Sequence, residues 1–189
     1  MIELDPKTSA LILIDLQAGI VGMPLQPRSG PETLAAGKAL AEKFRAAGAK
    51  VVLVRVDFAP DFADALQQPV DTPFRGARPP GWSALAEGLA EPSDILIVKR
   101  QWGAFHGTEL DLQLRRRGVR TIVLGGIATN IGVESTARHG WELGYELVLV
   151  EDACTSRSAE LHDMAIRFIF PKIARVRQAA DIVLAAERG

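Results

Sequence analysis

The chain has 189 residues, 48% hydrophobic and 24% charged, as expected of one folded globular domain with a proper core. Its 22 Lys and Arg against 23 Asp and Glu give a formal net charge of -1. That balance offers no electrostatic reason for nucleic acid or a membrane surface as partner, and the composition excludes collagen-like, coiled-coil and disordered chains, leaving a small molecule or another protein.

The single cysteine, Cys154, excludes an internal disulfide and a Cys-ligated structural zinc, and fits a reducing compartment. The apolar stretch Ala10 to Ile14 is preceded by Glu3 and Asp5 and ended by Asp15, unlike a secretory leader. No run approaches the ~20 apolar residues of a membrane span. A cytoplasmic protein is expected.

In chain order, short runs rich in Val, Ile and Leu alternate with segments of helical period. Strands are predicted over Ala10 to Ile14, Lys50 to Val56, Asp94 to Val98, Arg120 to Leu124 and Glu146 to Val150, with a sixth near Lys172 to Val176. Helices are predicted over Thr33 to Ala47, Thr108 to Arg117, Gly132 to Leu143, Ser158 to Phe170 and Ala179 to Glu187. Several strand runs are apolar throughout, so both their faces should be covered, as in a parallel sheet with helices on each side. The expected fold is therefore a three-layer α/β/α domain. Gly48, Gly118 and Gly144 follow three of the helices as plausible C-caps, and the helix, glycine, strand rhythm fits right-handed crossovers. Residues 57 to 93 break the rhythm and hold Pro60, Pro69, Pro73, Pro79, Pro80 and Pro92. An insert of that length is either functional, as a lid or an oligomer contact, or a plain surface excursion.

In an open parallel sheet, ligands bind beyond the carboxyl ends of the strands. The first strand ends in Asp15, followed by Leu16 and Gln17; the third runs into Lys99, Arg100, Gln101 and Trp102. A rim carboxylate whose pKa is raised by burial and lowered by a nearby ammonium suits a proton carrier, but Asp15 reads equally well as a loop or helix cap. Lys99 is a solvated strand end unless it lies in a cleft beside Asp15. After the fourth strand, Gly125 to Gly132 carries small residues into a helix N-terminus, which favours a bound oxyanion or, equally, close helix–sheet packing. The spacing fits neither a dinucleotide fingerprint nor a phosphate loop.

Three segments together resemble the isochorismatase-like hydrolases, a superfamily that includes nicotinamidases and N-carbamoylsarcosine amidohydrolases. They are Ala10-Leu-Ile-Leu-Ile-Asp15-Leu-Gln17, then Lys99 with Gly103-Ala-Phe-His-Gly-Thr-Glu-Leu110, and then Gly126-Ile-Ala-Thr-Asn-Ile-Gly132-Val-Glu-Ser-Thr-Ala137. The resemblance implies a mainly parallel six-stranded sheet of order 3-2-1-4-5-6 and a catalytic pair Asp15 and Lys99. In that order the third strand is two neighbours from the first, ~10 Å away, so Lys99 must reach across. Gly132 stands where most members carry a nucleophilic cysteine, as it does in true isochorismatases, which hydrolyse a vinyl ether with the Asp as proton carrier and no covalent intermediate.

By the same resemblance the Ala128 and Gly132 amides would bind a substrate oxygen, Gln17, Thr129, Trp102 and Phe105 would line the pocket, and Ile127-Ala128 would be cis. Cys154 and Ser135 are set aside as nucleophiles. No metal is expected, because Asp57 is followed by Phe58, Ala59 and Pro60 without the two His of nicotinamidases, and His106, His139 and His162 lack ligand-like spacing. His139 and His162 read as helix-surface residues. No cofactor is implied. A homo-oligomer, dimer or tetramer, is expected, with the Trp82 region and Phe168-Ile169-Phe170 as interface candidates. A ligand- or partner-binding descendant without activity is the alternative reading.

Overall fold

The computed structural model describes residues 1–73 and 78–185. Its strands are β1 (Ile2–Leu4), β2 (Ser9–Ile14), β3 (Lys50–Val56), β4 (Ile95–Lys99), β5 (Thr121–Ile127), β6 (Glu146–Thr155), β7 (Arg175–Arg177) and β8 (Ile182–Leu184). Its α-helices are α1 (Ala18–Val21), α2 (Gly30–Ala46), α3 (Leu110–Arg115), α4 (Glu134–Glu142) and α5 (Ala159–Met164). Every residue of β2 and of β5 is buried, as strands covered on both faces require.

Along β2 the side chains alternate: Ile12 and Ile14 join a core layer with Leu110 and Leu114 of α3 and Ala137 of α4, while Leu11 and Leu13 pack on the other face with Leu40 and Phe44 of α2. These are the three expected layers. Six strands pair in parallel in the order β4-β3-β2-β5-β6-β7. Numbered from β2 onward, that is the order 3-2-1-4-5-6.

Several boundaries differ from the sequence reading, and four of them have a local cause. Helix α2 begins at Gly30, three residues early, because Ser29 caps it: the Ser29 hydroxyl accepts from Glu32 N–H and the Glu32 carboxylate from Ser29 N–H. Strand β6 runs on to Thr155, so that Gly126 pairs with Cys154 after a register shift in β5. Helix α5 ends at Met164 and continues as a wider turn over Ala165–Ile169. The expected helix from Ala179 is only one turn, Ala179–Asp181; Ile182-Val183-Leu184 then extend as β8, because pairing with β1 buries Ile182. The end of that expected helix lies outside the described residues.

At the carboxyl ends of the strands two features set the site. Gly126 has φ 123°, and a Cβ there would fall 2.2 Å from the Ile14 carbonyl oxygen, so only glycine lets the ends of β5 and β2 approach this closely. The far end of the 57–93 insert runs back along the residues after β2: Ala18 N–H donates to Ala84 O, Gly19 N–H to Trp82 O, and Ala86 N–H to Leu16 O. The insert thus packs against the mouth of the sheet, and its residues 74–77 lie outside the described residues. No described helix is long and apolar enough to cross a membrane.

Candidate active site

Just past the end of β2 the chain turns sharply. Asp15 has φ 54°, in the left-handed region that Asp tolerates better than most residues, and its N–H still donates to Val54 O at 2.9 Å. Its side chain is 8% exposed, and Oδ2 lies 2.8 Å from Nζ of Lys99, itself 2% exposed at the end of β4. The lysine therefore reaches across β3, as the strand order demanded. Its Nζ also donates to the Trp102 carbonyl at 2.6 Å.

Burial pushes the Asp15 carboxyl up to about 6, while the charge and hydrogen bond of Lys99 pull the other way. Oδ1 of Asp15 is buried and has no hydrogen-bond partner among the described residues. One carboxyl oxygen thus faces the ammonium and the other does not.

The third side of the site is bare backbone. Beyond the cis peptide Ile127-Ala128, Val133 N–H donates five residues back to Ala128 O at 3.2 Å, and a wide turn over Thr129–Val133 leads into α4. A Cβ placed on Gly132 would lie 3.1 Å from Lys99 Nζ and 3.3 Å from Asp15 Oδ2. Position 132 therefore faces the ion pair directly. The hydroxyl of Thr136 donates to Gly132 O at 2.7 Å and accepts from Ala104 N–H at 3.1 Å, tying the turn to the loop after Lys99. Thr136 escaped the sequence reading; the signal was there, since Thr inside a helix often bonds the carbonyl four residues back.

The side chains of the other residues expected at the site are engaged elsewhere or face away. Gln17 is fully buried, and its amide is engaged by the backbone: Nε2 donates to Val56 O and Trp82 O, and Oε1 accepts from Val56 N–H. It braces the insert against β3. Trp102 contributes its carbonyl, but its side chain is 65% exposed. Phe105 is a core residue stacked on the Tyr145 ring, because the loop turns inward there. Thr129 directs its hydroxyl to His162 Nδ1 at 2.8 Å. His162 is not on the surface but buried beneath the turn, whereas His139 is half-buried against the Phe105 ring. Ala128 is also half-buried, packed against the core layer that holds Leu13.

The residues set aside at the outset are accounted for as well. Cys154 is buried in the sheet, and burial pushes its thiol up to about 12, far from the thiolate a nucleophile needs. Ser135 packs beside Gly103. The Asp57 carboxylate pairs with Arg55 at 2.7 Å and accepts from Phe58 N–H. Among the described residues no group of three His, Cys, Asp or Glu is placed to hold a metal. Of the interface candidates, Trp82 turns toward Gly19 and Phe170 lies in the core, while Phe168 is exposed.

In the insert, a cavity of about 300 Å³ opens among Asp57, Phe58, Phe62, Arg78, Trp82 and Ser83; neither Asp15 nor Lys99 lines it. The Arg78 guanidinium lies 4.1 Å from the Phe58 ring, 4.7 Å from Phe62 and 4.6 Å from Trp82, within cation–π range of all three. Asp57 of that cavity is joined to the end of β4 through the backbone, its N–H donating to Lys99 O at 3.1 Å.

The Isochorismatase domain model of the isochorismatase family matches residues 9–181, nearly the whole of this sheet and its helices; the chain belongs to that family. It is 54% identical over 185 residues to YecD, an uncharacterized isochorismatase family protein of Escherichia coli O157:H7, covering 97% of this chain and 98% of YecD. A solved structure of an isochorismatase family protein from Burkholderia thailandensis superposes with a TM-score of 0.91 at 48% identity, over 95% of each chain. The ureidoacrylate amidohydrolase RutB of Methylorubrum extorquens is 31% identical, over 80% of this chain and 71% of that protein.

Proposed function

We propose that this isochorismatase-family hydrolase cleaves a small metabolite without forming a covalent intermediate, with Asp15 as the proton carrier. The observation that carries this reading is the direction of position 132, where a side chain would meet both Lys99 Nζ and Asp15 Oδ2 and where the protein places only a glycine. Substrate atoms then occupy space that a nucleophile would otherwise fill, and the chain's one thiol, on Cys154, is buried and protonated.

The chemistry that fits is vinyl ether hydrolysis. Asp15 in its acid form gives its proton to the terminal carbon of the enol ether, leaving an oxocarbenium ion. Water adds to that cation and returns a proton to the Asp15 carboxylate, and the resulting hemiketal breaks its C–O bond to release an alcohol and a ketone. Lys99 holds Asp15 in place and stabilises its carboxylate between the two transfers. The Ala128 and Gly132 amides, just before and near the end of the turn over Thr129–Val133, would bind a substrate oxygen.

Assaying the enzyme and Asp15→Asn against a panel of small carboxylated metabolites that includes isochorismate tests the proposal. Turnover of a vinyl ether by the native protein and none by the variant is the expected result. Full activity in Asp15→Asn would overturn it.

A further inference from the structure

Under the turn that carries Gly132 lies a buried imidazole for which the proposed chemistry has no use. His162 is 1% exposed on α5, and its Nδ1 is 2.8 Å from the Thr129 hydroxyl. Its Nε2 is buried with no hydrogen-bond partner among the described residues. A buried nitrogen without a partner costs free energy, and an apolar side chain of the same size would fill the space without that cost. The ring's benefit must therefore come through Nδ1, which means through Thr129.

Thr129 is the first residue of the wide turn, directly after the cis peptide Ile127-Ala128. The next residue is held from its own side, where the Ser156 hydroxyl bonds Asn130 Oδ1 and Ser156 pairs with Gln26 through two backbone hydrogen bonds. The turn thus has two side-chain anchors on one flank, to α5 and to the end of β6, and Thr136 on the other. A wide helical turn is less constrained by its own backbone hydrogen bonds than an α-turn, so its pitch depends on such outside contacts.

We propose that His162 is a positioning residue: acting through Thr129, it sets the pitch of the turn and so holds the Gly132 amide at the Asp15–Lys99 pair. The proposal rests on the reading of that pair and Gly132 as the reacting centre. His162 touches no reacting atom, and its effect is on the placement of backbone groups that stabilise charge in the transition state rather than on substrate capture. A small displacement of such groups lowers kcat and leaves KM largely unchanged.

The test compares Thr129→Val, His162→Ala, their double variant and His162→Asn, whose amide lies near the place of Nδ1. Isochorismate is the substrate for kinetics, and the amide resonance of Gly132 is followed by NMR. Thr129→Val and His162→Ala are each expected to lower kcat roughly tenfold, with KM moved less than ~twofold, and to shift the Gly132 resonance. The double variant should be no worse than either single one, as for two members of one interaction, and His162→Asn should restore most of the loss. A Gly132 resonance unmoved in Thr129→Val, or single effects that multiply in the double variant, overturns the proposal. Should isochorismate not be turned over by the native protein, the function proposed above fails, and the Gly132 resonance still decides the role of His162. Should His162→Ala fail to fold, Thr129→Val, which only replaces a hydroxyl by a methyl, carries the test.

Discussion

Nζ of Lys99 and Oδ2 of Asp15 lie 2.8 Å apart although their strands, β4 and β2, are separated by β3. Both side chains are almost wholly withdrawn from solvent. A charge pair in that setting is held by its surroundings at a cost in desolvation, and replacing it by apolar residues is often neutral or stabilising for the fold. Its presence here argues for chemistry.

Replacing Asp15 by Asn keeps a carbonyl oxygen that accepts from Lys99 but removes the exchangeable proton. Turnover is expected to fall at least ~10³-fold, within the range for loss of a general acid or base, while circular dichroism and thermal unfolding show a folded protein. Lys99→Met should remove the influence that lowers the Asp15 pKa, so the Asp15 titration should move upward from about 6.

The pH profile separates two chemistries. If Asp15 acts first as an acid, kcat/KM falls above about pH 6, as the proton on Asp15 is lost. If it acts first as a base, activating water against an amide as an amidohydrolase would, kcat/KM falls below that pH instead. Measuring kcat/KM from pH 4 to 9 on the best substrate of the panel decides between them, and a rise through pH 6 would count against vinyl ether hydrolysis.

Stability should carry the same signature. Asp15 binds its proton more tightly in the folded chain, at about 6, than at its ordinary 3.8. Between those values the native state holds more protons than the unfolded one, so this group's contribution is fully present below about pH 4 and is lost as pH rises through 6. The change is on the order of 3 kcal/mol. Denaturant titrations of the native protein and Asp15→Asn, compared across that window, should differ in slope with the native protein the steeper; parallel curves would contradict a raised Asp15.

Adding one methyl group at position 132 tests the open face of the pair. The Cβ of Gly132→Ala would lie 3.1 Å from the Ile14 side chain and 3.1 Å from Lys99 Nζ, closer than ordinary contact, but the lysine end can shift. Folding is expected to survive with a loss of about 1 kcal/mol, and kcat to drop roughly tenfold because the added methyl occupies substrate space. Unchanged kcat with unchanged KM would place the reacting atoms elsewhere.

A cysteine-alkylating reagent should leave the rate of the folded enzyme unchanged, because Cys154 is buried and its thiol stays protonated until about pH 12. Mass spectrometry of the treated protein should show the thiol unmodified. Inactivation of a still-folded enzyme would refute the non-covalent mechanism.

Much of this was legible because strands buried on both faces announce themselves as unbroken apolar runs, and β2, β3 and β5 each carry one. The candidate site was legible where it lies directly at strand ends, at Asp15, Lys99 and the glycine turn. It was not legible where the direction of a loop side chain matters. Nothing periodic distinguishes Trp102, whose ring points outward, from Phe105, whose ring points into the core three residues later. The burial of His162 was hidden for a different reason: α5 is only six residues long, too short for helical spacing to show which of its faces is covered. Strands β1 and β8, three residues each, are too short to show a pattern, and only their pairing defines them.

Thr136 joins two segments, at Ala104 and Gly132, that lie 28 residues apart in the chain. With one hydroxyl on the carbonyl of Gly132 and the amide of Ala104, the lysine's own loop and the glycine turn are tethered at a common post. Neither can drift without dragging its counterpart, so the relative spacing of ammonium and backbone survives thermal motion that would blur a site built from independent loops.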